Sequence, residues 1–150
     1  MKKFSTLKIP PPILFILSII LMVLLPKVCE FTTNWYGVLI FLCISFIIAC
    51  LSVTKFVFNA QANISPIHIN KTTHLFTGGI YQYSRNPMYL SLAIALCSFF
   101  FYLGNLLAIL GIPFFIYSTT IFQIKAEERF LTQQFGQKYL TYKTKVRRWF

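Results

Sequence analysis

Residues 78–89 read Gly78-Gly79-Ile80-Tyr81-Gln82-Tyr83-Ser84-Arg85-Asn86-Pro87-Met88-Tyr89, a polar, aromatic stretch between long apolar runs. Adjacent glycines permit a positive φ or a close approach of the backbone to a bound group. Asn86 fits the N-cap of a helix and Pro87 its first position, because a proline there loses no needed N–H. Capping alone requires neither the tyrosines nor Arg85. The stretch therefore predicts a helix start and, beyond it, a binding site.

The composition around this stretch is that of a membrane protein. Of 150 residues, 57% are hydrophobic and 11% are charged, whereas an average soluble chain has about 25% charged residues. The net charge of +11 comes from bases at the ends of apolar runs. That pattern indicates cytoplasmic loops and anionic lipid headgroups, and it disfavours nucleic acid as the partner. The four cysteines show no ligand spacing, so we expect neither a metal site nor a disulfide.

Apolar runs predict an all-α membrane protein of one domain, residues 1–150, with about four transmembrane helices. The runs extend from about 9 to 25, 35 to 58, 88 to 103 and 106 to 124, and a crossing needs about 20 helical residues. The first run resembles a signal peptide, but Pro26-Lys27-Val28-Cys29 offers no small-residue cleavage site. We expect Gly104-Asn105 to form the turn of a helical hairpin, and Pro113 to kink the fourth run.

The chain after Lys125 predicts a short C-terminal amphipathic helix on the cytoplasmic side. Phe130, Leu131 and Phe135 fall on one side of a helix, and Gly136 is a natural stop. Beyond Gly136, tyrosines alternate with Lys and Arg, so we expect the tail to lie on lipid headgroups.

The distribution of charge predicts the orientation in the membrane. With four crossings, all of the 14 Lys and Arg except Lys27 lie on one side. By the positive-inside rule that side is cytoplasmic. Both termini, residues 78–89 and the acidic pair Glu127-Glu128 then face the cytosol.

Glu127 and Glu128 are two of only three acids in the chain. One interpretation is structural: the helix continues past Lys125, and the pair forms salt bridges with Lys125, Arg129 or the tail. The other is that the carboxylates hold a cationic or hydroxyl-bearing ligand against the tyrosines of residues 81–89.

Residues 78–89, the apolar hairpin and Glu127–Lys143 together resemble the isoprenylcysteine carboxyl methyltransferase family and its phospholipid methyltransferase relatives. The resemblance covers about residues 71–148. It implies an integral membrane enzyme that uses S-adenosylmethionine, with an amphiphilic or lipid-like acceptor that enters sideways from the lipid. Two other classes stay open: a membrane sterol-type reductase that binds NADPH, and a non-catalytic protein with the same fold. Little extra basic charge lies near residues 78–89 for a 2′-phosphate, which favours the methyl donor.

The same resemblance implies the site residues. The cofactor-binding positions are Thr73, His74, Leu75, Phe76, Tyr81, Arg85, Asn86, Pro87, Met88, Tyr89, Glu127 and Glu128, with Arg85 and Glu127 as the catalytic residues. Asn86 replaces the family's histidine and cannot act as an acid or base near neutral pH. Gln123 stands where the prenylcysteine enzymes have an arginine that meets the substrate. A neutral amide there does not favour a substrate carboxylate.

Overall fold

The computed structural model describes residues 9–58 and 75–150, with the backbone alone for 55–58. Within these ranges the regular secondary structure is helical, and the one β-bridge is isolated, between Glu30 and Asn105. The helices are α1 (Pro11–Leu24), α2 (Trp35–Phe58), α3 (Pro87–Leu103), α4 (Gly111–Thr119), α5 (Lys125–Phe135) and α6 (Gln137–Lys145). Single 3₁₀ turns occupy Gly79–Gln82 and Leu106–Leu110, and a π-helical turn, Thr120–Ile124, joins α4 to α5.

Two helical stretches among the described residues are long and apolar enough to cross a bilayer. They are Trp35–Thr54 and the run Leu106–Phe135. Helix α1 has 14 residues and α3 has 17, so at 1.5 Å per residue they extend about 21 and 26 Å. The hydrocarbon core is about 30 Å thick. Two spans therefore meet the length criterion, and a four-span arrangement stays a prediction.

Helix α3 packs along α2 and also contacts α1 and α4. The close approach of α2 depends on Gly37, since a Cβ there would lie 2.8 Å from the ring of Phe101. The hydroxyls of Ser45 and Ser98 donate across this interface, to Ser91 O at 2.8 Å and Val38 O at 3.0 Å. Small residues and interhelical hydrogen bonds of this kind are typical of helices that associate in lipid.

The outward face of α2 is apolar and exposed, with Tyr36 and Phe46 at 82% and 69% exposure. Contiguous exposed apolar surface of this extent is unusual for a soluble monomer. Together with the length of the helix, it identifies α2 as membrane-associated.

One end of the bundle is closed by the predicted hairpin turn. Gly104 has φ +60°, and a Cβ there would lie 2.2 Å from Phe31 O, so the position requires glycine. The amide of Phe31 donates to Gly104 O at 2.8 Å, and the side chain of Asn105 donates to Leu25 O and Pro26 O at 3.3 Å each. The α1–α2 loop and the α3–α4 turn are thus one unit, opposite the end that contains residues 79–89.

The fourth apolar run is less regular than predicted. Pro113 lies in the first turn of α4, where its missing N–H has no intrahelical role, and the run changes from a 3₁₀ helix to an α-helix at Gly111. The kink at Pro113 stays a prediction. The π turn at Thr120–Ile124 was not predicted.

Helix α5 ends at Phe135, and Gly136 follows with φ +53°, as the sequence indicated. The sequence predicted that the tail beyond Gly136 lies on lipid headgroups, but it did not predict that one side of the tail packs on the protein. Tyr139, Tyr142 and Val146 are buried against Leu75 and Leu131, because one side of α6 packs on the bundle and leaves its lysines exposed.

Candidate functional site

The 3₁₀ turn at Gly79–Gln82 presents one tyrosine to the interior of the protein. Gly79 begins it with φ +66°, a conformation that residues with a Cβ rarely adopt. Tyr81 then points inward and is 8% exposed, whereas Tyr83 is 72% exposed. Of the two tyrosines in this turn and its cap, only Tyr81 lines the site.

Helix α3 begins as predicted at Pro87, with Asn86 at its N-cap position. The side chain of Asn86 makes no capping hydrogen bond. Its Nδ2 donates instead to Arg148 O at 2.9 Å. Asn86 thus occupies the predicted N-cap position, but its side chain is held by the C-terminal segment and does not make the expected capping bond.

The C-terminal segment holds residues 84–86 through its main chain. The backbone N–H of Arg85 donates to Arg147 O at 3.1 Å, and Ser84 Oγ lies 3.4 Å from Arg148 O. The same Ser84 Oγ accepts the N–H of Asn86 at 3.2 Å. These bonds fix the backbone just before α3.

Glu128 is the centre of a buried ionic cluster. Its Oε1 lies 2.9 Å from Arg85 Nη1, and the side chains are 9% and 8% exposed. Arg148 approaches the same carboxylate with two hydrogen bonds of 2.9 Å, from Nε and Nη2, while Lys143 Nζ lies 3.6 Å from Oε2. The bidentate bond to Glu128 raises the pKa of Arg148 further, against the effect of burial. Glu128 therefore has the salt-bridge role that the sequence allowed: Arg148 and Lys143 belong to the tail that this interpretation named, whereas Arg85 was not expected.

Glu127, one residue earlier, contacts neutral groups. Its Oε1 accepts from Tyr89 Oη at 2.5 Å and from Gln123 Nε2 at 3.0 Å. Adjacent helical residues point about 100° apart, so the two carboxylates reach different neighbours. The bond from Tyr89 joins the start of α3 to α5, which brings together the two halves of the sequence motif.

Aromatic side chains line the space next to Glu127. The rings of Phe76 and Tyr81 lie 6.4 Å apart, and Tyr142 Oη donates to the backbone oxygen of Tyr81 at 2.6 Å. Burial, with Tyr142 and the charge of Glu127 as smaller causes, raises the pKa of Tyr81. Burial likewise raises the pKa of Tyr142 to about 12. Both phenols stay neutral at physiological pH.

The remaining predicted cofactor-binding positions differ in burial, and two of them are not described by the structure. Thr73 and His74 lie outside the described residues. Leu75 packs against the Tyr139 and Tyr142 cluster, Pro87 is buried, and Met88 is 37% exposed. Arg148, Tyr139 and Tyr142 belong to the site's framework and were not predicted. The i, i+3 spacing of the two tyrosines was the signal that could have identified them, because it places both on one side of α6.

Three buried polar atoms among the described residues have no hydrogen-bond partner: Arg85 Nε, Thr119 Oγ1 and Gln123 Oε1. Two of them, Arg85 Nε and Gln123 Oε1, belong to side chains whose other polar atoms reach Glu128 and Glu127. In the part of the chain that the structure describes, no group of three His, Cys, Asp or Glu could hold a metal ion.

A groove lined by Phe31–Tyr36 and Phe101 lies at the opposite end of the bundle. Its lining contains no Asp, Glu, His, Lys or Arg.

These features define an all-helical, membrane-associated protein with a polar and aromatic site at one end of its bundle. The family model for phospholipid methyltransferases matches residues 32–138. The chain therefore belongs to the phospholipid methyltransferase family, a family of membrane methyltransferases, which confirms the resemblance.

A protein of Haemophilus influenzae, described as uncharacterized, is 50% identical over 62 residues. That alignment covers 41% of this chain and 98% of the relative. No solved structure matches the chain significantly.

Proposed function

We propose that the protein transfers a methyl group from S-adenosylmethionine to an amphiphilic acceptor at the membrane surface. The observation that supports this proposal is the bond from Tyr89 to Glu127, which unites the two motif halves beside Tyr81 in a member of a methyltransferase family.

The chemistry of the donor set fits this cofactor. S-adenosylmethionine has a sulfonium, an ammonium and ribose hydroxyls, which seek aromatic faces, carboxylates and neutral acceptors. Phe76, Tyr81 and Tyr89 supply aromatic rings, and Glu127 supplies a carboxylate. Among the buried side-chain atoms of the described residues, Arg85 Nε is the one unpaired donor on a cation. It suits a cofactor carboxylate.

The cofactor, when bound, supplies an activated methyl group, so the protein's task is alignment and exclusion of water. Glu127 would orient the hydroxyls or ammonium of the cofactor, and Tyr81 would face its cation. Glu128 holds the guanidinium of Arg85 at one nitrogen, Nη1, at 2.9 Å. We therefore assign Glu128 a positioning role: it holds Arg85, while Arg148 holds Glu128.

The acceptor would reach the site from the lipid, between helices. We propose four membrane crossings, with the site, both termini and the basic face of α6 on the cytoplasmic side against anionic headgroups. Within the described residues the only charged side chains at the opposite end are Lys27 and Glu30, which agrees with this orientation.

The donor is tested by calorimetry of the detergent-purified protein with S-adenosylhomocysteine and with NADPH. We expect the first to bind, and Tyr81→Ala to weaken its binding about ten- to a hundred-fold, as expected for loss of an interaction worth about 1.5–3 kcal/mol. Cys43→Ala, on the exposed face of α2, is the control and leaves affinity unchanged. Binding of NADPH alone would identify a reductase, and binding of neither ligand a non-catalytic protein.

The acceptor is tested by methyl transfer from labelled donor to a farnesylcysteine analogue and to neutral or amine-bearing amphiphiles. Because Gln123 presents a neutral amide, we expect little turnover of the carboxylate. Gln123→Arg should shift the preference towards it. Efficient turnover of the farnesylcysteine analogue by the unmodified protein contradicts this interpretation of Gln123.

A further inference from the structure

Two of the unpaired buried atoms lie four residues apart on the run from α4 to α5. They are Thr119 Oγ1 and Gln123 Oε1, and Thr119 is 0% exposed. Native proteins pair nearly all buried polar groups, because an unmade hydrogen bond is destabilising. Two such atoms within one turn therefore call for a ligand or another explanation.

The backbone at this point is irregular. Thr119 is the last residue of α4, and the π turn Thr120–Ile124 follows. The hydroxyl of Thr120 donates to Ile116 O at 2.6 Å, the usual bond of a helical threonine, whereas that of Thr119 makes no such bond. Single π turns within α-helices occur frequently at functional sites.

The hydrogen-bonding capacity of the two groups differs. Gln123 Nε2 donates to Glu127 Oε1 at 3.0 Å, and a carboxylate only accepts, so the amide nitrogen must face it. Gln123 Oε1 is thus an acceptor directed elsewhere. The hydroxyl of Thr119 can both donate and accept. Together they offer one acceptor and one group of either kind, both uncharged.

We propose that Thr119 and Gln123 form a subsite that binds one hydroxyl group of the amphiphilic acceptor, an inference that rests on the proposed function. A hydroxyl donates once, to Gln123 Oε1, and accepts once, from Thr119. An ether or a carboxylate has no proton for Gln123. An ammonium would lose its hydration next to two neutral groups, at a cost that a hydroxyl does not have.

Trp149 provides a reporter beside this subsite. Its indole N–H donates to Thr120 Oγ1 at 3.2 Å, and its ring packs against the main hydrophobic core. The chain has two tryptophans, and the other, Trp35, begins α2 at the opposite end of the bundle. In a Trp35→Phe background, the emission of Trp149 reports on binding next to Thr119.

The test is a titration of Trp35→Phe protein in lipid nanodiscs with farnesol and with farnesyl methyl ether, which differ by one hydroxyl proton. We expect farnesol to bind about tenfold more tightly, the effect of one buried hydrogen bond. Thr119→Val should abolish the difference, and Thr119→Ser, which keeps the hydroxyl, should preserve it. Thr141→Val is the matched control, because that exposed hydroxyl bonds only to its own helix at Gln137 O.

Equal affinities for the alcohol and the ether in the unmodified chain would overturn the subsite, as would a difference that survives Thr119→Val. The bound hydroxyl could belong to the methyl acceptor or to the ribose of the cofactor, and calorimetry with S-adenosylhomocysteine distinguishes the two. Affinity for it should not change in Thr119→Val. A tenfold loss there, with farnesol binding unaltered, would assign the hydroxyl to the cofactor's ribose and refute an acceptor subsite. If S-adenosylhomocysteine does not bind at all, the proposed function fails, and the comparison of farnesol with its ether still decides the subsite.

Discussion

Replacing Glu128 with glutamine should destabilise the protein far more than it weakens ligand binding. The substitution keeps the shape of the side chain and removes the charge that Arg85, Arg148 and Lys143 share. Loss of one partner from a buried ion pair costs about 3–5 kcal/mol. Arg85 is 8% exposed and bears most of that cost, whereas Arg148 is 32% exposed and can be rehydrated.

We therefore expect Glu128→Gln to lower the free energy of unfolding by about 3 kcal/mol. At about 2–4 °C per kcal/mol for a chain of this size, the melting temperature in detergent should fall by roughly 6–12 °C. Lys143→Gln is the control. It removes only the 3.6 Å contact of a side chain that is 41% exposed, and such partners contribute less than about 1 kcal/mol.

Comparison with Glu127→Gln shows whether Glu128 positions Arg85 or itself contacts the cofactor. Glu127 accepts from the phenol of Tyr89 and the amide of Gln123, and the amide oxygen of a glutamine can still accept from either, so Glu127→Gln should lower the melting temperature less than Glu128→Gln. It should weaken S-adenosylhomocysteine binding about ten- to a hundred-fold. The opposite pattern, a stable Glu128→Gln variant that has lost the ligand, would refute the positioning role and show that Glu128 itself touches the cofactor.

Two further predictions concern the fold. In a cysteine-free background, cysteines introduced at Glu30 should be labelled from outside the membrane, and those at Gln82 and Lys138 from the cytoplasmic side; labelling of Gln82 and Lys138 on opposite faces contradicts four crossings. Gly111→Ala should lower the melting temperature, because its Cβ would lie 2.2 Å from Met22 Cγ and overpacking costs about 1–3 kcal/mol. A second substitution, Met22→Ala, should restore part of the loss, and no change in the single variant would show that α1 and α4 are not packed this closely.

The sequence predicted the helices well where apolar length and turn chemistry act locally. The extent of α2, the start of α3 at Pro87, the turn at Gly104 and the end of α5 at Phe135 all follow from neighbouring residues. The π turn did not, since no residue type in Thr120–Ile124 requires it. It arises where the register of α4 and that of α5 meet.

The N-cap position of Asn86 was predicted correctly, but its side-chain bond was not, for a related reason. A residue at an N-cap position is expected to bond the first turn of its own helix, and only the folded chain shows that the oxygen of Arg148 lies within reach. The adjacent glutamates show the same limit. The sequence was compatible with salt bridges and with ligand binding at these carboxylates. Which of the two holds for Glu128 depends on Arg148, which lies 20 residues away.

The role of the C-terminal segment explains how a chain with so few acids maintains an ordered site. Main-chain oxygens of Arg147 and Arg148 hold residues 84–86, while the guanidinium of Arg148 holds Glu128 and the indole of Trp149 reaches Thr120. One short segment thus connects the start of α3, the π turn and the start of α5, where Arg85, Gln123 and the two glutamates lie. Because these bonds come from the main chain as well as from side chains, single substitutions at the surface of α6 should leave the site intact. The inward-facing residues of the segment should not tolerate change.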